Sequence, residues 1–194
     1  CNGDASIDDG LDAIEAAQAA HPWPEARPLI IHAQMTRKDQ IDRMAELGVT
    51  PSFFSAHTYY WGDRHAAIFM GPERAANMSP ARWALDAGVR FSSHLDTPVT
   101  PMLPLQAVWS QVKRESTGGV VIGPAQRIGR MPALRAVTID AAWQVFMDDE
   151  IGSIEPGKRA DLVVLSENPL TAEDIRVIRV DRTVIDGATV YARL

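Results

Sequence analysis

The sequence predicts an α/β fold, a parallel sheet with a helix after each strand, followed by a small β module. Three observations predict it. Short apolar runs alternate with amphipathic stretches through the first half of the chain, the order expected of strand, helix and strand in a parallel sheet. Three successive strand-like runs end in a histidine or an aspartate, at His32, His57 and Asp96. From about residue 150 the texture changes to short alternating runs punctuated by Gly and Pro.

The elements follow in order. Asp4 or Ser6 can cap a first helix whose apolar positions Ile7, Leu11 and Ile14 recur at helical spacing, with alanines carrying it to about Ala20. HPWPEARP ends it. LIIHA, a continuous apolar run, is expected to be a strand buried on both faces and ending at His32. TRKDQIDRMAELG reads as an amphipathic helix with Ile41, Met44 and Leu47 on one side and Gly48 at its stop. VTPSFFSA is the next strand despite its proline, ending at His57. YYWGDRHAAIFMGPERAANMS is long, aromatic and glycine-bearing, as expected of a loop that covers a site. PARWALDAG gives a short helix, and VRFSS is the third strand, running into His94 and Asp96. LPLQAVWSQVKRES and MPALRAVTIDAAWQVF each read as a helix. VIRVDRTVIDGATVYARL then alternates as β structure does, with Asp186-Gly187 where a tight hairpin turn belongs.

At 194 residues, 46% hydrophobic and 23% charged, the chain can bury a sizeable core. A net charge of −6 and the lack of any Lys/Arg run argue against a nucleic-acid or anionic-membrane surface and direct attention to a small-molecule site. No apolar stretch approaches the roughly 18–20 residues of a spanning helix. One cysteine cannot form an internal disulfide, so a cytoplasmic location is expected. A first residue of Cys instead of Met reads as a processed start, the cut end of a longer protein or, as the minor alternative, a lipoprotein start.

The ends of neighbouring parallel strands lie side by side, so two imidazoles and a carboxylate would converge on one cleft. Such a set suits a divalent metal such as zinc, or general acid and base work. For HLDTP taken alone, an ordinary turn is the competing reading, because Asp and Pro punctuate strand ends.

GSIEPGKRADLVVL resembles the closing signature of the metal-dependent amidohydrolase superfamily. IIHAQM, HTYYWGDRH, GPERAANMSP and SSHLDTPVTP resemble consecutive motifs of its family three branch, an ordered set from about Pro28 onward. The fold this resemblance implies is the C-terminal part of a TIM-like (β/α)₈ metal-dependent hydrolase barrel over residues 1–149, with a portion of a small β-sandwich module over residues 150–194. By the same resemblance His32 matches a metal-ligating histidine at the end of the sixth barrel strand. Asp96 matches the catalytic aspartate that ends strand eight, which binds metal and takes a proton from the attacking water. His57 matches a histidine placed against the substrate. Tyr60, Trp61 and His65 are expected only as pocket wall, with a hydrophobic cluster of the loop itself as the alternative. His94 is expected to be structural, on the argument that strand alternation aims it away from the neighbours of Asp96.

The implied reaction is hydrolysis of a non-peptide, amide-like C–N bond in a small molecule by metal-activated water. The implied cofactor of the longer parent is a divalent metal, zinc first. The superfamily's His-x-His of the first strand and bridging residue of the fourth are missing, and CNGDA resembles the continuation of a His-x-x-Gly-Asp motif. A full barrel takes ~250 residues. The chain is therefore expected to be a C-terminal fragment, inactive alone, at most a weak zinc binder, and self-associating through uncovered sheet edges. The alternative is a non-catalytic regulatory or interaction module derived from an amidohydrolase.

Overall fold

In the computed structural model, which describes residues 1–194, Leu29–His32 (β1), Thr50–Phe53 (β2) and Ser92–Ser93 (β3) pair in that order into a parallel sheet. Helix α1 (Asp4–Ala20) precedes the sheet, and α2 (Lys38–Leu47) joins β1 to β2. The stop of α2 is Gly48 at φ 66°, a left-handed cap where glycine meets no steric penalty. Ile7 and Leu11 of α1 and Ile41 and Met44 of α2 meet Ile30 and Phe53 of the sheet in one core. Each such side chain contributes ~1.5–3 kcal/mol on burial.

Four expectations are corrected by the tertiary structure. β1 is buried on one face only: Ile30 is inside, while Leu29 and Ile31 are exposed at the edge of the sheet, although Thr50 and Ser52 opposite them on β2 are buried. The stretch after β2 is helical, not a loop: α3 (His57–Arg64) runs into a π-helix (His65–Phe69) and then α4 (Pro72–Ala75). The third strand is reduced to two residues after α5 (Ala81–Asp86). After α6 (Pro104–Lys113), the run from Met131 to Phe146 is broken into α7 (Arg130–Arg135) and α8 (Ile139–Gln144). The break has a use, since the Ala136 carbonyl accepts the Ser93 N–H at 2.9 Å and so continues the hydrogen bonding at the outer side of β3.

The C-terminal segment forms a separate antiparallel sheet of β4 (Leu162–Leu165), β5 (Val180–Ile185) and β6 (Ala188–Ala192). Asp186 and Gly187 join β5 to β6 with φ 50° and 78°, the two left-handed residues that a two-residue hairpin requires. Between β4 and β5 the chain returns to the main core with Ala172, Ile175 and Ile178. No helix is long and apolar enough to cross a membrane.

Candidate functional site

In the parallel sheet His32 stands opposite Phe53, and Phe53 opposite Ser93. The residues that follow these positions therefore leave the sheet along one edge. Two of these exits turn sharply: at the end of β1, His32 and Ala33 have φ 71° and 45°, and after β3, Asp96 has φ 52°. Non-glycine residues in this left-handed region are strained, and such strain clusters at functional sites. The turn after β1 is held by Thr36 Oγ1, which donates to the Ala33 carbonyl at 2.8 Å.

The result is a cluster of four imidazoles and a carboxylate. His32 Nε2 lies 3.8 Å from Asp96 Oδ2. Ring centroids are 5.0 Å apart for His32 and His94, 6.1 Å for His32 and His57, and 5.9 Å for His57 and His65. One donor atom each from His32, His94 and Asp96 lies within 4.8 Å of the others, a donor set that suits a divalent ion of the zinc class.

Two sequence expectations change here. His57 does not end a strand; it opens α3, four residues beyond the last residue of β2, and the helix swings its ring back over the sheet edge. His94 is not aimed away from Asp96: β3 has ended by then, and residues two apart share a side in extended chain. Its ring lies within reach of both His32 and Asp96.

Each of the four histidines leaves one buried ring nitrogen without a partner: Nδ1 of His32, His57 and His65, and Nε2 of His94. Buried polar atoms are nearly always hydrogen-bonded, so four such atoms in one cluster call for a ligand. Burial, with the neighbouring imidazoles second, pushes His57 down to about 3 and His94 down to about 4; for His94 the Asp96 carboxylate works in the opposite direction. Burial also lowers His65. Neutral imidazoles are the form that ligates metal or accepts a proton.

The wall of the cleft is aromatic. Trp61 lies edge-on to His57 at 5.6 Å. The ring neighbours of Tyr60 are Tyr59 and Trp61, which puts it one step behind the imidazoles, and burial raises its hydroxyl above the usual range. Three contributors escaped the sequence reading. Phe54 packs on His57 at 4.2 Å, on His94 at 5.4 Å and on His32 at 5.9 Å. Gln34 lies buried beside His65, and Ser52 beside His94. The available signal was position: Gln34 falls two residues after His32, and Phe54 directly follows β2.

The chain resembles known proteins over nearly its whole length. The chain is 33% identical over 193 residues to the N-substituted formamide deformylase of Arthrobacter pascens, covering 98% of this chain and 35% of that protein. It is 33% identical over 168 residues to the protein LONG AFTER FAR-RED 3 of Arabidopsis thaliana, covering 86% of this chain and 29% of that protein. A crystal structure of an uncharacterized metal-dependent hydrolase from Pyrococcus furiosus superposes with a TM-score of 0.69 at 27% identity, over 87% of this chain and 33% of that one. The chain thus spans about a third of the length of the curated relatives it matches. The pattern described as the amidohydrolase family matches residues 1–191. The match over residues 1–191 and the 33% identity to the deformylase over 98% of the chain place it in the family three branch of the amidohydrolases.

Proposed function

We propose that this chain is the C-terminal part of a metal-dependent hydrolase that cleaves non-peptide, amide-like C–N bonds of small molecules. On this reading residues 1–149 belong to a (β/α)₈ barrel and residues 150–194 to a β-sandwich portion. The observation that carries it is the convergence of donor atoms from His32, His94 and Asp96 within 4.8 Å, beside the half-buried imidazoles of His57 and His65. The deformylase relative supports the choice of bond.

His32 and Asp96 would hold the metal, with zinc the ion of first choice for two imidazole-and-carboxylate donor types. When bound, such an ion lowers the pKa of water toward about 7 and polarises a carbonyl. Asp96, whose side chain is 39% exposed, is open to the cleft and takes the proton of the attacking water, then returns it to the leaving amine. His57 faces the substrate and stabilises negative charge on the carbonyl oxygen. Trp61 and His65 form pocket wall with Tyr60 behind them, and exclude water from the reacting bond. The chain alone is inactive and pairs with itself through its uncovered sheet edges.

The test is release of amine and formate from an N-substituted formamide by the longer protein that carries this segment. Metal removal should abolish turnover and zinc should restore it. Asp96→Asn should lower kcat about 10²–10⁴-fold. Full activity of the Asp96→Asn protein, or of the chelated enzyme, would overturn the reading.

A further inference from the structure

We propose that His94 is a third protein ligand, so that His32, His94 and Asp96 bind one divalent ion within this chain alone, and that Ser52 and Ser92 are the positioning residues that orient the His94 ring. The proposal rests on the reading of His32 and Asp96 as ligands and adds a residue to it.

The ring of His94 is fixed on two sides. Phe54 stacks against it with a centroid distance of 5.4 Å and an interplanar angle of 25°. Its Nδ1 lies 3.0 Å from Ser52 Oγ on the neighbouring strand β2. Ser52 in turn receives the hydroxyl proton of Ser92 at 2.8 Å, and both serines are buried. A hydroxyl has two lone pairs, so Ser52 can accept from Ser92 and from His94 Nδ1–H together. That leaves the lone pair of His94 on Nε2, which is buried and has no partner. An imidazole whose outer nitrogen is held by a protein group and whose inner nitrogen is free is the arrangement that ligating histidines show.

The spacing agrees. Two donors each about 2.0–2.1 Å from a zinc-class ion stand at most about 4 Å apart. Around a tetrahedral ion the donors stand about 3.4 Å apart; His32 Nε2 and Asp96 Oδ2 are 3.8 Å apart and the three donor atoms lie within 4.8 Å of one another, so the donors need to draw together by about 0.4–1.4 Å, within the reach of side-chain rotation. Two imidazoles and one carboxylate leave open positions on the ion for water and substrate.

The test is titration of the 194-residue chain with Co²⁺, read by visible absorption, alongside histidine nitrogen NMR of the unmutated chain titrated with Zn²⁺. A cobalt band should appear near one equivalent, and the Nε2 signal of His94 should shift with that of His32. His94→Gln should weaken Co²⁺ at least about 100-fold and Ser52→Ala about 10-fold, while exposed His21→Ala should change nothing. His94→Gln binding like the unmutated chain, with His32→Ala and Asp96→Ala losing the ion, would overturn the proposal and leave the ligand roles of His32 and Asp96 standing. Binding that survives both His32→Ala and Asp96→Ala would overturn those roles instead. No cobalt band and no nitrogen shift in the unmutated chain would overturn the claim that three ligands suffice here.

Discussion

The carboxamide nitrogen of Gln34 lies 3.1 Å from His65 Nε2 and 3.8 Å from Met78 Sδ. An amide NH₂ only donates, so His65 accepts on Nε2 and carries its proton on Nδ1, the buried atom with no partner. Gln34 thereby presents an N–H donor from His65 within the cleft. Gln34→Leu should cost about 1–2 kcal/mol in urea unfolding of the chain. In the longer protein it should raise KM more than it lowers kcat, because it loosens pocket wall and leaves the metal ligands intact. An unchanged KM would remove Gln34 from the site.

Arg114 is buried without a carboxylate. Its guanidinium donates to the carbonyls of Ile122 and Met78 at 2.8 Å each and to Ser79 at 3.3 Å. Burial, with Arg127 second, pushes it down to about 10, still charged at neutral pH. The clamp reaches the site, since Ser79 N–H donates to the Gln34 carbonyl at 2.7 Å. Gly123 seals the same junction: at φ 61° it lies where a Cβ would meet the Ala76 carbonyl oxygen at 1.7 Å. Arg114→Met strands at least the two closest carbonyls and should destabilise the chain by about 2–4 kcal/mol. Denaturant midpoints would check this, and a loss under ~1 kcal/mol would contradict the clamp.

Acid should unfold the metal-free chain through His57. Its folded value lies near 3 and its ordinary value is 6.5, so between those pH values the unfolded chain binds a proton that the folded chain refuses. The contribution is whole above pH 6.5 and is lost as pH falls toward 3, at up to about 1.4 kcal/mol per pH unit. The charged and titratable neighbours are His65, His32 and His94. His57→Phe should flatten this slope by about one proton in unfolding free energies measured from pH 7 to 4. An equal slope in both proteins would count against a buried neutral His57.

Uncovered strands should make the isolated chain associate. Along β1, the Cys1 ammonium donates to the Ile31 carbonyl at 2.9 Å and the Asn2 carbonyl accepts the Met35 N–H, but the Leu29 and Ile31 side chains remain exposed. On the second sheet Val163 is 54% exposed and Val190 58%. Light scattering at rising concentration should show oligomers, and Ile31→Lys with Val163→Lys should reduce them. A clean monomer at all concentrations would contradict this.

The elements whose signals are local were legible in the sequence. The helix 4–20, the Gly48 stop, the Asp186-Gly187 hairpin and the strands carrying Ile30 and Phe53 follow from periodicity and turn chemistry, which act over a few residues. The convergence of His32 and Asp96 was also legible, because parallel strands in register deliver their ends to one edge, whereas His57 reaches them from the start of α3. Tertiary structure alone decided the rest. His94 turns toward His32 because a serine on the next strand lies opposite its Nδ1. The aromatic stretch after β2 becomes helix because Thr58 and Gly62 pack inward, Gly62 so closely on Ile122 that a Cβ there would lie 2.9 Å away. The helix expected between Met131 and Phe146 breaks because the sheet uses the Ala136 carbonyl. Each of these depends on a partner distant in sequence, which no local pattern records.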